Sequence, residues 1–193
     1  MDKNPVRGVG CRWVLRIVFP MKKTQPNPYL HKVKVRLRFR PGLVPVPGEL
    51  LWADPVVAGD SGGTYSLLNN SFYSSIGVGD IVRATLDGEG TLQVTDIVLS
   101  APVQRSGFIT SRLLDDVAVR ALGDGWRDHG ANWSEGMSGV LVTVWNAGVE
   151  ARHVREVLQR DELSGCGKLL WVAGPEDATR DQLGHVDFDL DTA

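Results

Sequence analysis

The stretch Lys32-Val33-Lys34-Val35-Arg36-Leu37-Arg38-Phe39-Arg40 alternates a cation with an apolar side chain at every step. Successive side chains of a strand point to opposite faces, so this period of two predicts a half-buried strand. One face carries Val33, Val35, Leu37 and Phe39, and the other carries Lys32, Lys34, Arg36, Arg38 and Arg40. An element that is apolar on one face needs a partner layer, and the next sixty residues supply strands rather than helices.

Downstream, Pro41-Gly42 ends the strand, and Pro45 and Pro47 punctuate the connection. Glu49–Val57 reads as a second strand. Gly59-Asp-Ser-Gly-Gly63 reads as a hairpin turn leading into Thr64–Leu68. Gly77-Val-Gly-Asp80 turns into Ile81–Leu86, and Asp87-Gly88 signals a short hairpin into Thr91–Leu99. Five or six short strands without a helix predict a small antiparallel β-barrel or roll over residues 31–103.

From residue 104 the pattern changes. Phe108–Leu113 reads as a strand. Asp115–His129 reads as a helix with Val117, Ala121 and Leu122 on one side and Asp115 and Asp116 at its positive end. Asn132–Glu135 reads as a short strand, and Gly139–Trp145, apolar on both faces, as a central one. Glu150–Arg160 places Ala151, Val154, Val157 and Leu158 on one helical face, and Lys168–Ala173 forms a last strand. The order β-α-β-β-α-β predicts a ferredoxin-like unit over 104–175. The fold class expected for the whole is therefore α+β.

Charge is divided along the chain. Up to Arg40 there are eleven Lys/Arg and one acid, a net of +10, whereas residues 41–193 hold ten bases and 22 acids, a net of −12. The chain ends in the inverse of the basic strand, Val186-Asp-Phe-Asp-Leu-Asp191. Laid beside residues 32–40, Asp187, Asp189 and Asp191 would face cations while the apolar residues met each other. Such opposite-charge pairs contribute about 0.2–1 kcal/mol each. Residues 176–193 are thus expected to be a linker and an acidic edge strand that covers the basic one. Residues 1–30 keep two readings open. One is a strand with Trp13, Leu15, Ile17 and Phe19 on one face. The other, adopted for the domain plan, is an N-terminal extension of a protein that begins functionally at Met21.

Several functions are disfavoured by the residues themselves. No segment is long enough to span a membrane, and the apolar run Trp13–Phe19 is short and broken by Arg16, so neither a membrane span nor a signal peptide is expected. Cys11 and Cys166 lie far apart in unlike contexts, which suits reduced thiols and a cytoplasmic location. No histidine or cysteine spacing marks a metal site, and no Walker loop or GxGxxG marks a nucleotide site, so no cofactor is expected. Gly59-Asp-Ser-Gly-Gly63 spells the nucleophile motif of chymotrypsin-like proteases. That chemistry needs a histidine and an orienting aspartate earlier in the chain, and only His31 precedes Ser61. No catalytic residue is assigned. Trp126 and Trp133 flank a glycine-rich connection and keep two readings open, burial in the core, which is favoured, and the lining of a groove.

The stretch Val46–Ser100 resembles an uncharacterised bacterial family, domain of unknown function 4265. The residues that carry the resemblance are Gly48-Glu-Leu-Leu-Trp-Ala-Asp-Pro55, Tyr65-Ser-Leu-Leu-Asn-Asn-Ser-Phe72 and Gly77-Val-Gly-Asp-Ile-Val-Arg-Ala84. Against the family pattern, Leu68 replaces an aspartate, and Asn70-Ser71 replaces Ile-Pro. Ala101-Pro-Val-Gln-Arg-Ser-Gly107 stands without the histidine of an "SGHST"-like segment. The resemblance implies a two-part bacterial cytosolic fold and names no activity.

Together these features predict a non-enzymatic protein that binds another protein in a regulatory or immunity-type role. The alternative is RNA or single-stranded DNA binding through Lys32, Lys34, Arg36, Arg38 and Arg40. An enzyme of unknown class comes third.

Overall fold

A computed structural model of the chain describes residues 32–42 and 44–177. The readings placed on residues 1–30 and on the acidic tail fall outside them.

The first five strands are β1 (Val33–Arg38), β2 (Gly48–Gly59), β3 (Gly62–Leu67), β4 (Ile81–Leu86) and β5 (Leu92–Leu99). They form a closed barrel in chain order. Its interior is filled by the period-two residues of each strand. Val35, Leu37 and Phe39 of the basic stretch are buried beside Leu51, Ala53 and Val82. Burying each of the larger of these side chains stabilises the fold by about 1.5–3 kcal/mol. Sequential strands are antiparallel, but the closing pair is parallel, with Val35 opposite Leu92 and Arg36 opposite Gln93. The expected all-antiparallel barrel is corrected at this seam. Five strands that reverse at every step leave the fifth running with the first, so closure by hydrogen bonding requires one parallel pair.

The turns follow their residues. Asp60-Ser61 is a two-residue hairpin loop between β2 and β3. The Asp87-Gly88 hairpin is longer than expected and spans five residues, because Asp87 Oδ1 accepts the Glu89 and Thr91 amides and winds the loop around its own carboxylate.

The second half contains β6 (Arg105–Thr110), α1 (Asp116–Arg127), β7 (Ala131–Met137), β8 (Val140–Trp145), α2 (Ala151–Leu163) and β9 (Gly167–Ala173). The four strands form a sheet in the order β7-β8-β6-β9, and every neighbouring pair is antiparallel. All six residues of β8 are buried, as its two-faced apolar pattern requires. Leu141 and Trp145 face the helices with Phe108, Trp126, Val154 and Leu158. Val140 and Val142 face the opposite way and meet Phe72 from the barrel.

Helix α2 presents the expected face, with Val154, Val157 and Leu158 buried. Helix α1 does not. Val117 is 74% exposed and Ala121 is also on the surface, while Trp126 is buried and Val119 and Leu122 pack beside it. The largest apolar side chain sets the rotation of the helix, and the stripe 119-122-126 follows from it.

Candidate functional site

The strand β1 turns its charged side outward, as predicted. Lys34, Arg38 and Arg40 are exposed, and Lys32 and Arg36 are half-buried. Register with β2 adds what a single strand cannot show. Lys34 lies opposite Trp52, and Arg36 lies opposite Leu50. Both apolar side chains point outward, Trp52 at 38% and Leu50 at 46% exposure. Lys34 Nζ sits 4.7 Å from the centroid of the Trp52 ring, a cation–π contact that holds the indole face beside the cations. Arg36, Arg38, Pro47, Gly48, Glu49 and Leu50 line an open groove of about 420 Å³ on this side of the barrel.

The basic strand meets its acids at the β4–β5 hairpin. Arg36 approaches Asp87 at 3.8 Å and Glu89 at 3.7 Å, and Arg38 approaches Asp87 at 3.4 Å. The Thr91 amide foremost, with the Glu89 amide and the two guanidiniums, holds the Asp87 carboxyl below its ordinary range. Both edges of β1 carry ladder partners within the barrel, β2 on one side and β5 on the other. The pairing expected for Asp187, Asp189 and Asp191 lies outside the described residues.

Trp126 and Trp133 do not wall one groove. Trp126 is 1% exposed and donates its Nε1 hydrogen to Asp161 Oδ2 at 2.7 Å inside the helix-side core. Of the two, Trp133 alone reaches the surface, at 40% exposure. A tryptophan whose indole N–H finds an acceptor is satisfied in a core, and that outweighs the glycines around it.

A second cluster, at the junction of barrel and sheet, was not legible in the sequence. The segment 68–80 leaves β3, covers the barrel mouth and packs Phe72 and Tyr73 on the sheet. Its polar atoms are held from both sides. Asp80 and Arg105 form an ion pair of 2.9 Å, with side chains 0% and 1% exposed. Arg105 also donates to the carbonyls of Ser75 and Val78, and Asp80 accepts the amides of Gly77 and Ala101. Burial pushes the Asp80 carboxyl up, against the pull of Arg105 and those amides. Gly77 is required here, since a Cβ would overlap Asn70 Oδ1. From β2, Glu49 accepts the Phe72 amide through both oxygens, and from β7, Glu135 Oε1 accepts the Asn70 amide and side-chain N–H. Desolvation raises both glutamate carboxyls above their ordinary range, and the Glu49 charge adds to the rise at Glu135. Glu49 and Asp80 lie in the stretches 48–55 and 77–84, which the sequence reading singled out without assigning either residue to a site.

Neither cluster assembles a catalytic group around Ser61 or the described histidines. His153 Nε2 contacts the His129 carbonyl and Arg160 contacts His129 Nε2, which ties the end of α1 to α2. Among the described residues no group of three or more His, Cys, Asp or Glu is placed to hold a metal ion. No helix among them is long and apolar enough to cross a membrane.

The molecule thus belongs to the α+β class, a closed five-stranded barrel joined to a helix-covered four-stranded sheet. No protein-family model and no curated protein matches the chain. It is similar to a crystal structure of a hypothetical protein from Neisseria gonorrhoeae, with a TM-score of 0.53 and 12% identity over 75% of this chain and 92% of that one. At that identity the likeness is one of fold alone.

Proposed function

We propose that this chain is a non-enzymatic bacterial cytosolic protein that docks another protein, in a regulatory or immunity-type role, through the outer face of β1 and β2. The observation that carries the reading is the pair Leu50 and Trp52, exposed in the middle of a row of cations. An apolar centre with a charged rim suits a protein partner whose own surface is acidic around an apolar patch. Within the same reading, Val46–Ser100 is a segment of the domain of unknown function 4265 type. The element order and the sheet order β7-β8-β6-β9 support a ferredoxin-like second half.

A second reading has its own support. Trp52 supplies next to Lys34 the aromatic surface that β1 lacks by itself, which suits RNA or single-stranded DNA. The two readings part in salt. Affinity for a labelled single-stranded RNA should fall linearly in a log–log salt titration if phosphates are bound. Capture of a protein partner should survive nuclease and moderate salt, and should weaken by about tenfold or more in Trp52→Ala, as loss of a central aromatic anchor does. Capture that is nuclease-sensitive and indifferent to Trp52→Ala would overturn the docking reading. A version ending at Gly184, run in parallel, reports whether the acidic tail competes for the same face.

A further inference from the structure

The four-stranded sheet has two edges, and they are not equally closed. At one edge, the Val172 carbonyl of β9 accepts a hydrogen bond from Arg155 of α2 at 3.2 Å. The other edge is β7, whose ladder partner among the described residues is β8 alone. The two-residue turn Ser138-Gly139 makes Met137 and Val140 a hydrogen-bonded pair, and bonded and non-bonded pairs alternate from there. Ser134 and Gly136 therefore aim their backbone N–H and C=O groups away from β8. Both residues line an open trough between β7 and α1, made of two cavities of about 360 and 460 Å³ that share Arg120 and Gly136. On this helix side, Arg112 and Arg120 are exposed, and neither has an ion-pair partner among the described residues. The acids beside them are Asp116 and Asp124, and Asp124 pairs with Arg127 at 2.7 Å. On the barrel side, Trp133 and Met137 share the face of Val140 and Val142 and are 40% and 41% exposed. A strand added to β7 would alternate its side chains between these two sides. The edge thus selects a strand in which acidic and apolar residues alternate.

We propose that β7 takes the chain's own acidic tail, Val186-Asp-Phe-Asp-Leu-Asp191, as a fifth strand of this sheet. Asp187, Asp189 and Asp191 then meet the arginines of the trough, and Val186, Phe188 and Leu190 cover Trp133 and Met137. The basic strand β1 offers no such place, because β2 and β5 already occupy its two edges. The length of the chain allows the crossing. The described residues end at Asp177, just past β9. The row Ala173–Arg105–Val144–Trp133 runs across the sheet from β9 to β7. A strand beyond β7 lies four strand spacings from β9, about 19 Å. The eight residues 178–185 span up to about 26 Å when extended. In that place the tail shields an edge that would otherwise be a template for pairing with other chains.

The test is amide hydrogen exchange, read by NMR, on the full chain and on a version ending at Gly184. The expected result is that the Ser134 and Gly136 amides exchange about tenfold or more faster in the shorter chain, while the Glu135 amide, bonded to β8, changes little. The full chain carrying Arg112→Glu and Arg120→Glu should exchange like the shorter one. Equal exchange at Ser134 and Gly136 in the two lengths would overturn the proposal, as would protection that survives the two charge reversals. Protection that grows with protein concentration would assign the edge to the tail of a second copy and overturn the placement within one chain. Asp187→Asn, Asp189→Asn and Asp191→Asn together in the full chain repeat the comparison without shortening it, and decide the matter if the shorter chain does not fold.

Discussion

Arg105 shows how much one residue can decide. Its side chain is 1% exposed, and it donates to the Ser75 and Val78 carbonyls and to the Asp80 carboxylate, all within one six-residue segment. Removing one partner of a buried pair leaves the other charge desolvated, which costs about 3–5 kcal/mol. Arg105→Met should therefore lower the unfolding free energy by about that amount in a denaturant titration. The surface pairs of Arg36 and Arg38 with Asp87 have the same chemistry and differ in solvent. At 3.4–3.8 Å and partly solvated these pairs contribute little, so Asp87→Ala acts mainly through the loop it winds. A second local constraint sits at Gly107, where a Cβ would overlap the Trp171 indole that lies across it. Gly107→Ala should destabilise by about 1–3 kcal/mol in the same assay, as overpacking does.

Among the elements, α1 gives the sharpest test because its observed face differs from the expected one. Val117 points to solvent and Trp126 to the core. Val117→Lys should change stability by no more than about 0.5 kcal/mol. Trp126→Ala should cost about 3–5 kcal/mol, since it empties the core and leaves Asp161 without its donor. The start of the helix was legible. Asp115 caps it by accepting the Ala118 amide at 2.8 Å, as an acidic residue ahead of an apolar period suggests. The phase was not legible, because Val117, Ala121 and Leu122 fit a helical period as well as Val119, Leu122 and Trp126 do. Only the position of the sheet chooses between them. The strand β1 is the opposite case, since strict alternation leaves one possible inner face.

Barrel and sheet, taken together, share a core through Phe72, Tyr73, Val140 and Val142. Their polar contacts, Asp80 to Arg105 and Asn70 to Glu135, cross the same boundary. Folding of the two halves should therefore be one cooperative transition, with far-ultraviolet circular dichroism and tryptophan fluorescence coincident in denaturant. Phe72→Ala should remove about 3–5 kcal/mol and separate the two curves. Coincident curves in that variant would show that the polar contacts suffice to couple the halves.

Residue order along the chain was enough to specify the strands, the helices, the alternation of β1, the two-faced apolar character of β8 and the concentration of cations before residue 41. These are properties of neighbours along the chain, and a period of two or of 3.6 records them directly. Folding alone settled the parallel seam of the barrel, the placing of Trp52 and Leu50 among the cations, and the meeting of Glu49 with Glu135 around residues 70–72. Each of those joins residues that only the register of one strand against another, or one layer against another, brings together. The charges along a chain are read in order, but what a charge does depends on the solvent, amide or counter-charge that folding places beside it.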